Sequence, residues 1–246
     1  MTYNSNAELH TPKLPVLPSR VTYILIGLNV LVFLIELGGI MPLSGWGCLV
    51  PIRILSYGEW WRLLATGFLH AGVMHIASNL YALYIIGPQV ERLFRARRFI
   101  WIYFASLLGG STLVTLFSPL NRPTVGASGA ILGLMGALLV YLWQYRDLLS
   151  NARNSVSRLA SVVLLNLVIG LVPGVSLWGH LGGFLAGAMA AWAVLPQYGT
   201  ASIAAATYSP WTRLEVRSGG WMEALKIAAV LWCILIVLAI SLWIRV

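Results

Sequence analysis

Four polar side chains are conspicuous because apolar sequence surrounds them: His75, Asn79, Ser128 and His180. Ser128 lies in PTVGASGAILGLMG and His180 in WGHLGGFLAG. A serine hydroxyl is a poor nucleophile until a base takes its proton, and histidine titrates in the right range to do so. The pair could therefore carry acyl transfer or hydrolysis. Gly126 and Gly129 beside the serine permit close backbone approach. A helix starting here would aim free N–H groups at a developing negative charge. His75 and Asn79 are spaced i, i+4 and share one helix face. Neutral donors at that spacing suit an oxyanion hole, which needs hydrogen bonds rather than a second base.

Each feature also has a plainer reading. Gly-Ala-Ser-Gly is what tight helix packing looks like. A membrane histidine can simply bond a neighbouring carbonyl, and His75 with Asn79 can form an interhelical clamp. A nucleophile elbow of the α/β-hydrolase kind would need a strand before the serine, and none is expected. Glu36 could supply a third, acidic member, although serine dyads without a carboxylate exist. His70 falls off the His75–Asn79 face and reads as loop-stabilising. Trp61-Arg62 reads as a pin for its loop and Glu91-Arg92 as one for a helix end, with Asn29 and Asn166 as milder polar cases.

The elements that must hold these residues follow from composition. The 246 residues are 59% hydrophobic and only 9% charged, where a soluble domain carries about a quarter charged. Lipid is the solvent that fits. The net charge of +9 falls in short clusters between apolar spans, which suits anionic lipid and argues against nucleic acid. Cys48 and Cys233 belong to different depths, and no Cys/His set has metal-ligand spacing, so no disulfide, metal or cofactor is expected. The polar, Pro-punctuated N-terminus has no signal-peptide pattern.

Seven stretches reach spanning length: about 21–41, 74–90, 99–117, 125–145, 159–175, 177–195 and 225–244. The second is weakest, interrupted by Asn79, Gly87 and Pro88. With the N-terminus in the cytoplasm, the inside holds Lys13, Arg20, Arg92, Arg95, Arg97, Arg98, Arg146, Arg153, Arg158, Arg213, Arg217 and Lys226. Only Arg53, Arg62, Arg122 and Arg245 stay outside, which satisfies the positive-inside rule. Spans two, four and six then run inward, and His75/Asn79, Ser128 and His180 each lie near the start of one, at similar depth. Gly129, Gly133 and Gly136 on span four face Gly183 and Gly187 on span six as small-residue surfaces, letting the two helices touch. The long first outside loop, with Trp46, Trp60 and Trp61, should lie on or dip into the outer leaflet.

The stretches WWRLLATGFLHAGVMHIASNLYALYIIGPQVERLF, GASGAILGLMGA and GHLGGFLAG resemble, in that order, the rhomboid intramembrane serine proteases. The resemblance runs from about Trp60 to Ala190. It implies Ser128 as nucleophile and His180 as base. It also implies an oxyanion hole of Asn79, His75 and the Ser128 N–H, shaped by Gly126. The expected architecture is all-α: a tail (1–20), a six-helix core (21–196), a linker (197–224) and a seventh span (225–246). Some members carry an aromatic ring four residues after the serine where this chain has Leu132, which implies looser positioning of His180. The function expected is cleavage of transmembrane proteins near the outer leaflet, in a bacterial plasma membrane with N-terminus inside and C-terminus outside. The alternatives are an inactive rhomboid-like protein that binds membrane clients, and a transporter, whose inverted repeats are not visible.

Overall fold

The computed structural model describes residues 19–147, 152–198 and 216–217, together with 223, 225–227, 229–230, 233–234, 236–237 and 239–240. The chain is an all-α bundle. Its helices are α1 (Arg20–Leu37), α2 (Leu43–Gly47), α3 (Pro51–Tyr57), α4 (Arg62–Ala65), α5 (Val73–Phe117), α6 (Ser128–Gln144), α7 (Ala152–Ile169) and α8 (Leu177–Ala193). A two-residue antiparallel pairing, Gln197–Tyr198 with Val216–Arg217, follows α8. Among the described residues, α1, α5 and α7 are long and apolar enough to cross a membrane, and α6 is a shorter apolar helix.

Expected spans two and three form one helical run, α5, broken only at Arg95 (φ 66°) into limbs 73–94 and 96–117. The RLFRARR segment is thus a sharp corner instead of a loop. Arg95 sits in backbone space that costs a non-glycine residue energy. Neither Gly87 nor Pro88 stops the helix. A Cβ on Gly87 would come within 2.5 Å of Thr22 Cγ2, so this position lets α1 lie close to α5. The same contact brings Glu91 to the start of α1, where it accepts from the N–H groups of Val21 (3.0 Å) and Thr22 (2.8 Å) and from the Thr22 hydroxyl (2.7 Å). No side chain of its own caps α1. An acid borrowed from α5 does so, at the end where negative charge is favourable. This makes Glu91 structural, as expected.

Two other boundaries move. α6 begins at Ser128, leaving 125–127 as loop, and α7 begins at Ala152 and ends at Ile169, earlier than the 159–175 expected. Polarity in ARNSVSRLAS hides a helix that hydropathy alone places late. The loop between α1 and α5 is built of α2, α3, α4 and a 3-10 turn, Thr66–Phe68. Its centre is Arg62, 4% exposed, which bonds Glu59 (2.5 Å) and the carbonyls of Cys48 (2.7 Å) and Gly45 (3.0 Å). Trp61 Nε1 donates to Trp46 O at 3.0 Å. Trp61-Arg62 therefore pins the loop. Trp46, Trp60 and Trp61 remain exposed.

The expected seventh span, linker and N-terminal tail lie largely outside the described residues. The described positions of the seventh are helical, with Val230 buried against the main core. Glu223 pairs with Arg98 beside the α5 corner, with bonds of 2.9 and 3.0 Å.

Candidate active site

Glycine decides how α6 meets α8. A Cβ at Gly183 would lie 2.1 Å from Gly129 O, and one at Gly187 would lie 2.3 Å from Gly133 Cα. At Gly129 it would meet Gly179 O at 2.9 Å, and at Gly133 it would meet Ser106 Oγ at 2.0 Å and Gly183 O at 2.7 Å. At these four glycines the two helices approach closely, largely backbone against backbone. The limb 96–117 joins them through Gly109 and Gly110, where an added Cβ would lie 2.9 Å from Gly182 O and 2.7 Å from Gly179 O. That third small-residue surface was not singled out in the sequence.

This contact brings Ser128 and His180 together. His180 Nε2 lies 3.1 Å from Ser128 Oγ. His180 Nδ1 lies 2.9 Å from the backbone carbonyl of Asn166 on α7. A carbonyl can only accept, so Nδ1 carries the ring proton. Nε2 of the neutral ring is then an acceptor, and the Ser128 hydroxyl donates to it. The ring stands ready to take the serine proton, oriented by a main-chain oxygen where a triad would use a carboxylate. Asn166 thus contributes its carbonyl, which also accepts from Gly170 N at 3.0 Å, while its amide bonds Val162 O. Ser176, four residues before His180, caps α8 by accepting from Gly179 N at 3.1 Å. Leu132 is buried and lines the same cavity.

Ser128 opens α6, and no side chain caps that helix; the first N–H groups of a helix have no intrahelical acceptor. Gly126, at φ 125°, turns the chain into it. Any Cβ there would strike His75 Nε2 at 2.8 Å, with Ser128 Oγ at 3.9 Å. His75 Nδ1 accepts from Ala71 N at 3.3 Å, which leaves the proton of the neutral ring on Nε2, pointing toward Gly126. Asn79 is buried and lines the cavity. One of its amide hydrogens is held by His75 O at 2.8 Å, leaving one to donate. His75, Asn79, Gly126, Ser128 and His180 all border a cavity of about 860 Å³.

Glu36 does not belong to it: its carboxylate accepts from the Ser44 amide at 3.0 Å and from the Ser44 hydroxyl, at the start of the loop between α1 and α5. His70 does belong, contrary to its expected role in the loop. It is buried and lines the cavity, and its ring meets that of His75 edge-on at 5.2 Å. Neither of its nitrogens has a well-formed hydrogen bond. Burial and the neighbouring His75 hold its pKa down at about 4, partly opposed by the Phe68 backbone, so the ring is neutral at physiological pH. The stretch before Ser128 is held against the loop between α1 and α5. Thr124 pairs with Leu49 (2.8 and 3.1 Å), Gly126 N donates to Thr66 O (3.0 Å), and Thr66 Oγ1 donates to Thr124 O (2.6 Å). Thr66 and Thr124 carry no motif signal; only the folded loop reveals them. Among the described residues no group of His, Cys, Asp and Glu could hold a metal ion.

The glycine contacts predict a test. Gly183→Val should force α6 and α8 apart, costing about 1–3 kcal/mol or more in stability and lengthening the 3.1 Å Ser128–His180 contact. A lower thermal midpoint in detergent, together with loss of reaction with serine-directed reagents, is the expected result. An unchanged midpoint and reactivity would contradict the packing described.

A polytopic α-helical bundle with a serine and a histidine joined across a glycine seam defines the class. The chain from residue 57 to 197 matches the Rhomboid domain family, and this protein belongs to the rhomboid family. It is 37% identical over 185 residues to the rhomboid protease GluP of Bacillus subtilis (strain 168), covering 72% of this chain and 36% of that protein. It is 37% identical over 161 residues to RHOMBOID-like protein 4 of Arabidopsis thaliana, covering 65% of this chain and 41% of that one. The putative rhomboid protease YdcA of Bacillus subtilis (strain 168) is 34% identical over 134 residues, or 53% of this chain and 67% of that one. The chain spans less than half the length of the first two. The family and the apolar helices together make it an integral membrane protein.

Proposed function

We propose that this protein is an intramembrane serine endopeptidase that cleaves transmembrane proteins near the outer leaflet. The observation that carries the reading is the relay Ser128 Oγ–His180 Nε2–His180 Nδ1–Asn166 O, at 3.1 and 2.9 Å, on the wall of a cavity. In the reaction proposed, Ser128 Oγ attacks the scissile carbonyl as its proton passes to His180 Nε2. The imidazolium keeps its Nδ1–H on Asn166 O. The oxyanion is met by the Ser128 N–H, the free Asn79 amide hydrogen and His75 Nε2–H, with Gly126 keeping space open. His180 then protonates the leaving amine, and water, activated by the same ring, releases the acyl group. The inactive client-binding alternative is less economical, since it leaves a correctly oriented base and nucleophile without a task.

Orientation with the N-terminus inside is proposed on the distribution of Lys and Arg, with a bacterial plasma membrane as the setting. The domain division into tail, six-helix core, linker and seventh span is proposed likewise. A spanning substrate hides its peptide bonds in helical hydrogen bonds and must unwind locally before attack. Single-span substrates with Gly or Pro near their outer boundary, reconstituted in vesicles with the purified protein, should therefore be cut faster than Leu-rich ones. Fragment ends should map to that boundary, and Ser128→Ala should yield none. Equal rates for both substrate types, or ends at the inner boundary, would contradict the reading.

A further inference from the structure

The cavity is neutral at every described position of its lining except one. Arg122 is exposed on its wall, six residues before Ser128. None of the ion pairs formed among the described residues includes it: these join Arg53 and Arg62 to Glu59, Arg98 to Glu223 and Arg146 to Asp147. The acids on the same side are engaged elsewhere, Glu59 with two arginines and Glu36 with Ser44. The backbone that carries Arg122 is fixed. Its N–H donates to Pro119 O at 3.0 Å, Leu120 O accepts from Ile52 N at 2.9 Å, and Thr124, two residues on, pairs with Leu49. Pro123 between them restricts the backbone further. A cation is thus held at the loop end of an otherwise uncharged cleft with no acid of its own.

We infer that Arg122 is a specificity residue that selects substrates carrying an acidic side chain on the loop-side flank of the scissile bond. The inference rests on the protease reading above and deepens it. Six extended residues span at most roughly 20 Å, so the acid should stand within about six residues of the bond that Ser128 attacks. One charge in a cleft with low-dielectric walls focuses its field on what occupies the cleft. Because Arg122 is exposed, the contribution is that of a solvated ion pair: about two- to fivefold, falling as salt rises.

The test uses the full chain in vesicles of neutral lipid, with single-span substrates identical except for Asp, Asn or Lys scanned across that flank. The expected result is kcat/KM about two- to fivefold higher for Asp than for Asn at the best position, lower for Lys, and converging near 1 M salt. Arg122→Glu should invert the order. Binding of the same peptides to the Ser128→Ala protein gives the same ordering as an affinity. Failure of the intact protein to cut any substrate would thus defeat the proposed function while the charge preference is still measured. Equal values for Asp and Lys, or an order unchanged in Arg122→Glu, would overturn the inference. So would an effect that follows the fraction of anionic lipid instead of the peptide's charge, since that would assign Arg122 to headgroups.

Discussion

Ser128→Ala and His180→Ala should each lower cleavage of a reconstituted substrate by on the order of 10⁴-fold or more, and the double variant should be little worse than either. The reason is geometric. The two side chains form one relay, 3.1 Å apart, and a base with no hydroxyl to deprotonate is as idle as a hydroxyl with no base. Independent losses that multiply in the double variant would mean that the two residues act separately. His180→Asn would keep some polarity at the Asn166 carbonyl but provide no base, so it should fall with His180→Ala. Client binding should survive in all four. A Ser128→Ala protein cutting at the original rate would remove the assignment outright.

Asn79→Ala carries the second-largest effect. Loss of one oxyanion donor costs roughly 100- to 1000-fold in turnover, and the change should appear in kcat with KM nearly constant. The alternative role has a different signature. Asn79 also holds His75 O at 2.8 Å inside its own helix, and a residue serving only that bond would cost about 1 kcal/mol of stability on removal. Turnover of the folded fraction would then be unchanged. Measuring kcat per folded molecule alongside the thermal midpoint separates the two. Donation from the Ser128 N–H and His75 remains in the variant, so residual activity above that of Ser128→Ala is expected.

The parts of the site that the sequence made legible were those written in residue type and spacing. Ser128, His180, His75 and Asn79 were visible because a polar side chain in an apolar span is expensive. Gly129, Gly133, Gly183 and Gly187 were visible because small residues recur at helical spacing on two spans. The structure joins them through backbone contacts that admit no Cβ. What stayed hidden has no side-chain signature. The group that orients His180 is the main-chain carbonyl of Asn166, and a carbonyl can be supplied by any residue type. Thr66 and Thr124 matter through a loop whose path depends on Arg62 reaching Cys48 O and Gly45 O. His70 was set aside because its spacing is off the His75 face; it reaches the cavity from the loop, where helical periodicity does not apply.

Boundaries were less legible than elements. Hydropathy separated spans two and three at their arginines, yet the backbone stays helical on both sides of Arg95 and spends its one strained residue there. Hydropathy also placed the start of α7 late, because Arg153, Asn154, Ser155 and Arg158 are polar while still helical. The charge rule and the apolar runs established that the chain crosses a membrane; neither reports where a helix frays or turns. Glu36 was ambiguous for a related reason, since an acid at a span's end can serve a triad or a loop. Its bonds to Ser44 decide for the loop.

Activation of Ser128 as a nucleophile by His180 is tested most directly by covalent mapping. The purified protein in detergent is treated with a fluorophosphonate, digested and analysed by mass spectrometry. The expected result is a single phosphonylated peptide with the adduct on Ser128, formed slowly or not at all in folded His180→Ala. A folded protein that forms no adduct, or one modified at another serine while Ser128 stays free, would contradict it.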